Sequence, residues 1–108
     1  MSWDVRLVDG CGELCGVPHF SGGGTYPLGG SDGAELNVTY NYGAKFNFGE
    51  LNGHQAKDTI PMLEQVVDKL GSTPTSDYWE PTNGNVGRAA LRLLTWAKLH
   101  PDAKWEVV

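Results

Sequence analysis

The spacing of the apolar residues changes once along this chain, near Asp58, and that change constrains the fold more than any other feature. Before it, residues 36–42 alternate apolar and polar side chains, the pattern of a β-strand with one packed face and one wet face. After it, apolar residues recur every three or four positions, as they do along one side of an α-helix. The sequence therefore predicts strands in the first half of the chain and helices in the second.

The first predicted helix covers residues 59–70. Its N-cap is Asp58 or Thr59. Pro61 falls in the first turn, where proline is tolerated, and Gly71 follows the last residue. The apolar positions on its packed side are Ile60, Leu63, Val66, Val67 and Leu70.

The second predicted helix covers residues 85–99 and is followed by Pro101, at the distance expected after a helix end. Its buried stripe consists of Val86, Ala90, Leu93, Leu94 and Ala97. Arg88, Arg92 and Lys98 fall on the other side of the helix, so we expect these three side chains to face water.

The remaining strands are shorter. Residues 3–8 alternate with Trp3, Val5 and Leu7 inward, and Asp9-Gly10 is a tight-turn signal that predicts a hairpin with its return arm near residues 13–15. Residues 104–108 form a last edge strand, or a tail that Trp105 holds on the core.

Together these elements predict an α+β fold in one domain of 108 residues, a length that supports a single modest core. A small antiparallel sheet of three or four strands from the N-terminal half packs against two C-terminal helices, at about residues 59–70 and 85–99. The four Trp, four Tyr and three Phe in the chain suit a packed globule.

An ordered series of short motifs resembles a family of small phage- and prophage-encoded proteins of uncharacterised function. The motifs are Gly23-Gly24-Thr25-Tyr26, Gly29-Gly30, Asn37-Val38-Thr39-Tyr40-Asn41-Tyr42, Ile60-Pro61-Met62-Leu63-Glu64, Tyr78-Trp79-Glu80, Thr82, Gly84-Asn85, and Pro101-Asp102 with Trp105. The chain departs from the family between residues 46 and 58, where the relatives carry a longer helical segment. The resemblance implies a phage context and assigns no site.

Charge and hydropathy exclude several classes of function. A net charge of -5, with 13 acidic residues spread along the chain, argues against direct binding of a nucleic-acid backbone. There is no apolar run of about 18 residues and no charged-then-apolar leader. We therefore expect no membrane partner and a cytoplasmic location in the host cell.

The spacing of Cys11, Cys15 and His19 invites a zinc interpretation, because thiolates and imidazoles are ligands that Zn²⁺ prefers. A fourth ligand is missing, since neither His54 nor His100 stands at a suitable spacing. The alternatives are two reduced thiols or a disulfide. Reduced thiols are the prediction, with no metal and no cofactor.

The candidate binding site combines the glycine-rich residues 22–30 with the start of the second helix. A helix N-terminus binds anions, and aromatic rings stack on flat ligands. The residues of this site are Tyr26, Tyr78, Trp79, Glu80, Thr82 and Asn85. The competing interpretation is structural, with Thr82 and Asn85 as helix caps and Trp79 in the core.

No catalytic motif is present, so we expect a protein that is not an enzyme. The predicted function is that of a non-catalytic phage accessory protein that binds a host protein and blunts an antiviral defence such as a CRISPR effector. The alternative is a small-molecule sponge that sequesters an anionic, nucleotide-like signal between the glycine loop and Asn85.

Overall fold

A computed structural model describes residues 2–17, 25–27, 33–73 and 80–108 of the chain. Its strands are β1 (Ser2–Val8), β2 (Thr25–Pro27), β3 (Glu35–Thr39) and β4 (Lys104–Val107), and its helices are α1 (Ala56–Leu70) and α2 (Asn83–Leu99). These elements confirm the predicted α+β class, with an antiparallel sheet and two helices that follow its first three strands.

The sheet has the strand order β2-β3-β1-β4, and every neighbouring pair is antiparallel. Strand β1 is flanked on both sides, because Trp3 pairs with Val38 of β3 and Leu7 pairs with Trp105 of β4. Residues 104–107 form an edge strand, which is the first of the two alternatives that the sequence left open, and the first strand of the chain lies inside the sheet.

The turn after β1 forms at Asp9-Gly10, as predicted. The Asp9 amide donates to the Glu13 carbonyl at 2.8 Å, and the Asp9 carboxylate accepts from the amides of Cys11 and Glu13. The return arm is a single bridge between Val8 and Leu14 and does not extend into a strand.

Strand β3 is shorter than the alternating pattern predicted. It ends at Thr39, and residues Tyr40–Ala44 form a 3-10 helix whose first turn is capped by the Thr39 hydroxyl. A second 3-10 helix, Phe48–Leu51, follows. The side chains of Tyr40 and Tyr42 have the same polarity whether the backbone forms a strand or a 3-10 helix. The alternating pattern therefore could not distinguish the two structures.

The predicted wet face of β3 is wrong, because Asn37 and Thr39 are buried, as is Glu35 at the start of the strand. The cause is cross-strand pairing with β1. The Asn37 amide donates to the Ser2 hydroxyl at 2.6 Å and to the Asp4 carboxylate at 3.0 Å, and Glu35 forms an ion pair with Arg6. Polar groups that are satisfied in this way can be buried without a large penalty.

Helix α1 begins at Ala56, three residues before the predicted start, and its N-cap Gln55 makes no side-chain capping bond. The first free amides of the helix are satisfied by the chain that leads into β4: Ala56 donates to the Ala103 carbonyl at 2.8 Å and Lys57 to the Pro101 carbonyl at 2.9 Å. Thr59 and Pro61 consequently lie inside the helix. Gly71 follows its end with φ 74°, as a C-terminal glycine does.

The end of α1 and the start of α2 approach each other at backbone distance. A methyl group added at Gly84 would overlap the carbonyl of Thr73, and one added at Gly87 would overlap the carbonyl of Gly71. Glycine usually costs helical stability. These two glycines are required because no side chain fits between the two segments.

Trp105 connects β4 to α1 inside the core. Its side chain is fully buried, and its indole Nε1 donates to the Thr59 hydroxyl at 2.9 Å. That hydroxyl in turn donates to the Ala56 carbonyl at 2.7 Å. This polar chain fixes the position of α1 relative to the edge of the sheet.

Replacing Thr59 with Val should lower the free energy of unfolding by about 1–3 kcal/mol, because the Trp105 indole N–H would remain buried without an acceptor. The matched control is Thr95→Val. The Thr95 hydroxyl donates to the Leu91 carbonyl of its own helix and, among the described residues, accepts no bond from a tryptophan. Urea unfolding measures both variants. Equal losses would show that the Trp105 bond contributes nothing.

Gly87→Ala should destabilise the fold by about 1–3 kcal/mol or more, because its methyl group would overlap the Gly71 carbonyl. In an uncrowded helix the same change would stabilise by about 1 kcal/mol. Gly10→Ala is the control, since nothing lies within 4 Å of the added methyl group. Thermal unfolding of the two variants separates the outcomes, and a stabilised Gly87→Ala protein would contradict the close approach.

Candidate functional site

The structure describes half of the predicted binding site. Tyr78, Trp79 and the side chain of Tyr26 lie outside the described residues, and so does His19 of the cysteine cluster. Glu80, Thr82 and Asn85 are described, and they lie together at the start of α2.

These three residues hold the first turn of α2 together. The Thr82 hydroxyl accepts from the Asn85 amide at 3.2 Å, and the Asn85 side-chain amide donates to the Glu80 carbonyl at 2.9 Å. Asn85 is fully buried, whereas Glu80 is exposed. Thr82 is thus the N-cap of α2, and the Asn85 side chain joins the first turn of the helix to the backbone that precedes it.

The two cysteines differ in environment. Cys11 is exposed and Cys15 is buried, and both are free thiols. Burial, together with the nearby charge of Asp9, raises the pKa of the Cys15 thiol and so disfavours the thiolate that would bind a metal. Within the described ranges, no group of three or more His, Cys, Asp or Glu side chains is placed to hold a metal ion.

A cavity of about 260 Å³ lies on α2 away from the helix start. Arg88, Leu91, Arg92 and Thr95 line it, at the spacing that places residues on one side of a helix. The Thr95 hydroxyl is turned to the Leu91 carbonyl at 2.9 Å, so these two residues present mainly carbon to the cavity. The polar groups that remain on this side of the helix are the two guanidinium groups.

The prediction that Arg92 faces water is wrong, because only 3 % of its surface is exposed. Its pKa is lowered to about 10, first by burial and then by the positive charge of Arg88, while Tyr42 acts in the opposite direction. Burial raises the pKa of Tyr42 to about 12, and the charge of Arg92 opposes that rise. Positive charge is therefore concentrated where solvent screens it poorly.

The sequence contained a signal for this burial. On a helical projection Ala89 and Trp96 lie between Leu93 and Arg92, and both are buried. A small residue and a large apolar residue on that side extend the buried arc as far as Arg92. The periodicity argument missed it because it followed the narrow stripe through Val86 and Ala97 alone.

A second concave surface runs along α1, and we call it the α1 groove. It has a volume of about 220 Å³ and is lined by Lys45, Phe46, Met62, Gln65, Val66, Lys69 and Leu70. Met62, Val66 and Leu70 recur every fourth residue and are half-buried. Of the apolar positions predicted to be packed on α1, only Leu63 is fully covered.

The walls of the α1 groove are held in place from beneath. The Phe46 ring meets Phe48 edge to face, with ring centroids 4.8 Å apart, and Phe48 is fully buried. Lys45 and Lys69 stand beside this apolar floor. The ion pairs among the described residues are Arg6–Glu35 and Lys57–Asp102, so neither of these lysines has a carboxylate partner there.

The comparisons with known proteins add no relative. No protein-family model, curated protein or solved structure matches the chain. The resemblance to small phage proteins accordingly stays a prediction from sequence. None of the helices in the described part of the chain is both long enough and apolar enough to span a membrane.

Asn85→Ala should lower the free energy of unfolding by about 1–3 kcal/mol, because the Glu80 carbonyl would lose its donor and a buried space would open. Thr82→Ala should cost about 1 kcal/mol through loss of the cap, and Thr82→Ser, which keeps the hydroxyl, serves as its control. Urea unfolding of the three variants measures these differences. Wild-type stability of Asn85→Ala would contradict the structural role.

Proposed function

We propose that this protein is a non-catalytic, stoichiometric binding protein that attaches to a host protein through the α1 groove. The observation that carries the proposal is the half-exposed stripe of Met62, Val66 and Leu70 beside Phe46. Grooves with anchors at every fourth helical residue are a common way for one protein to hold a segment of another.

The charge at the groove selects the chemistry of the partner. Lys45 and Lys69 carry positive charge without a carboxylate partner in the described part, although the chain as a whole has a net charge of -5. The acidic Glu64 and Asp68 lie on the opposite side of α1, by helical spacing. The fitting partner is thus an apolar segment with acidic residues beside it, since complementary charges at the contact fix the register and disfavour other partners.

Three further arguments support a host protein as the partner and an inhibitory role. The resemblance to small phage proteins implies an accessory role, for which an inhibitor of an antiviral defence is the natural form. The sequence lacks an assembled catalytic motif, which favours binding over turnover. Aromatic side chains are enriched at protein interfaces, and Phe46 supplies one at the groove.

A photo-crosslinking amino acid at position 65 tests the contact directly, because Gln65 is exposed and lines the groove. In bacterial cells that carry a phage-defence system, we expect one covalent adduct with a host protein, joined at a segment that contains Asp or Glu. The same amino acid at the exposed position 64, across the helix, is the matched control. No adduct at position 65, or equal adducts at both positions, would overturn the proposal.

Charge reversal tests the selectivity of the groove. With the crosslinked protein in hand, Lys45→Glu combined with Lys69→Glu should weaken binding at least tenfold, because each change replaces attraction by repulsion. Lys98→Glu makes the same change at an exposed site on α2 and should leave the affinity within twofold. A dissociation constant unaffected by the double change, or equally affected by Lys98→Glu, would place the interface elsewhere.

A further inference from the structure

Arg88 and Arg92 stand one turn apart on α2 and share the 260 Å³ cavity with Leu91 and Thr95. Two like charges at this spacing repel each other and destabilise a helix, and they do so more strongly where solvent is excluded. The pKa of Arg92 is lowered first by burial and then by the positive charge of Arg88. An arrangement of this kind is stabilised when a negative charge lies between the two groups.

The described residues do not supply that negative charge to Arg88. The ion pairs there are Arg6–Glu35 and Lys57–Asp102, and the buried Nε of Arg88 has no hydrogen-bond partner in the described part. A buried, charged donor without a partner is costly. The fork of a guanidinium group matches the oxygens of phosphate and carboxylate groups.

We infer that the α2 cavity binds the phosphate group of a small phosphate monoester, with Arg88 and Arg92 as its two contacts. A phosphate monoester presents three acceptor oxygens and carries nearly two negative charges at neutral pH, so a single phosphate group can contact both guanidinium forks, whereas a carboxylate has only two oxygens. The apolar surface of Leu91 accommodates the organic part. A volume of about 260 Å³ is slightly below the usual range of small-molecule sites, so the ligand is small.

This site is separate from the partner surface and from the start of α2. The cavity begins one turn after the buried Asn85, and none of its lining residues in the described ranges also lines the α1 groove. The sequence interpretation had placed an anionic ligand at the glycine loop and Asn85. The guanidinium groups of α2 offer the fixed charge that such a ligand needs.

The test is thermal unfolding of the full chain with adenosine 5′-monophosphate, glucose 6-phosphate and inorganic phosphate, against adenosine, glucose and sodium chloride at matched ionic strength. A monoester present at ten times its dissociation constant should raise the melting temperature by about 5 °C, since it binds only the folded state. The parent alcohols and the chloride control should not. If no phosphate compound exceeds the chloride control, the inference is wrong.

Variants connect the effect to the cavity. Arg88→Gln should raise the dissociation constant of the bound monoester at least tenfold, because hydrogen bonds to charged groups are worth more than that factor. Arg88→Lys keeps the positive charge and loses the guanidinium fork. Its dissociation constant should therefore lie between those of the wild type and Arg88→Gln. Lys98→Gln removes one charge from the same helix outside the cavity and should have no effect.

Arg88 is the position for substitution because it is half-buried, whereas loss of the buried Arg92 also perturbs the core. The melting temperature of each variant without ligand establishes that it is folded. Equal losses of affinity in Arg88→Gln and Lys98→Gln would show a general charge effect and overturn the assignment. Equal binding of adenosine and its monophosphate would do the same.

Discussion

The hydrogen-bonded chain from Trp105 through Thr59 to Ala56 is the interaction on which the rest of the architecture depends. It joins the edge strand of the sheet to the first turn of α1 inside the apolar core, and each of its groups is buried. The backbone bonds from Ala56 and Lys57 to the chain before β4 reinforce the same junction. Helix α1, and with it the α1 groove, is therefore positioned by the last strand of the sheet.

The elements that sequence could predict are those whose pattern is local. The stripe of α2 from Val86 to Ala97 is buried as its spacing indicated, and the Asp9 turn forms where its side chain can accept amide bonds. The start of α1 could not be predicted, because the groups that satisfy its amides lie more than forty residues away in sequence. Local capping rules predicted Asp58 or Thr59 as the N-cap, but the Thr59 hydroxyl instead accepts a hydrogen bond from the Trp105 indole.

The candidate sites escaped prediction for a related reason. Arginine is a residue type that usually lies at the surface, and only the packing around Ala89 and Trp96 buries Arg92. The partial exposure of Met62 and Val66 likewise depends on which neighbours cover α1, and helical periodicity cannot reveal that. Sequence identified the correct apolar residues but could not determine how completely each one is covered.

The net charge of the chain and the local charges at its two concave surfaces have opposite signs. The chain carries a net charge of -5, yet positive groups border the α1 groove and the α2 cavity. The net charge repels an anionic partner during approach, within about a Debye length, whereas these positive groups attract it on contact. Added salt then has opposite effects on the two stages, because it screens the repulsion during approach and weakens the contact that follows.

The central position of β1 has a consequence for synthesis of the protein. Strand β1 pairs with β4, and Asp4 exchanges two backbone bonds with Val108, so residues at opposite ends of the sequence are neighbours in the sheet. Ribosomes add about 5–20 residues per second, and roughly 100 residues separate the two strands. The first strand consequently waits several seconds for its second neighbour, and the sheet closes only when translation of residues 104–107 is complete.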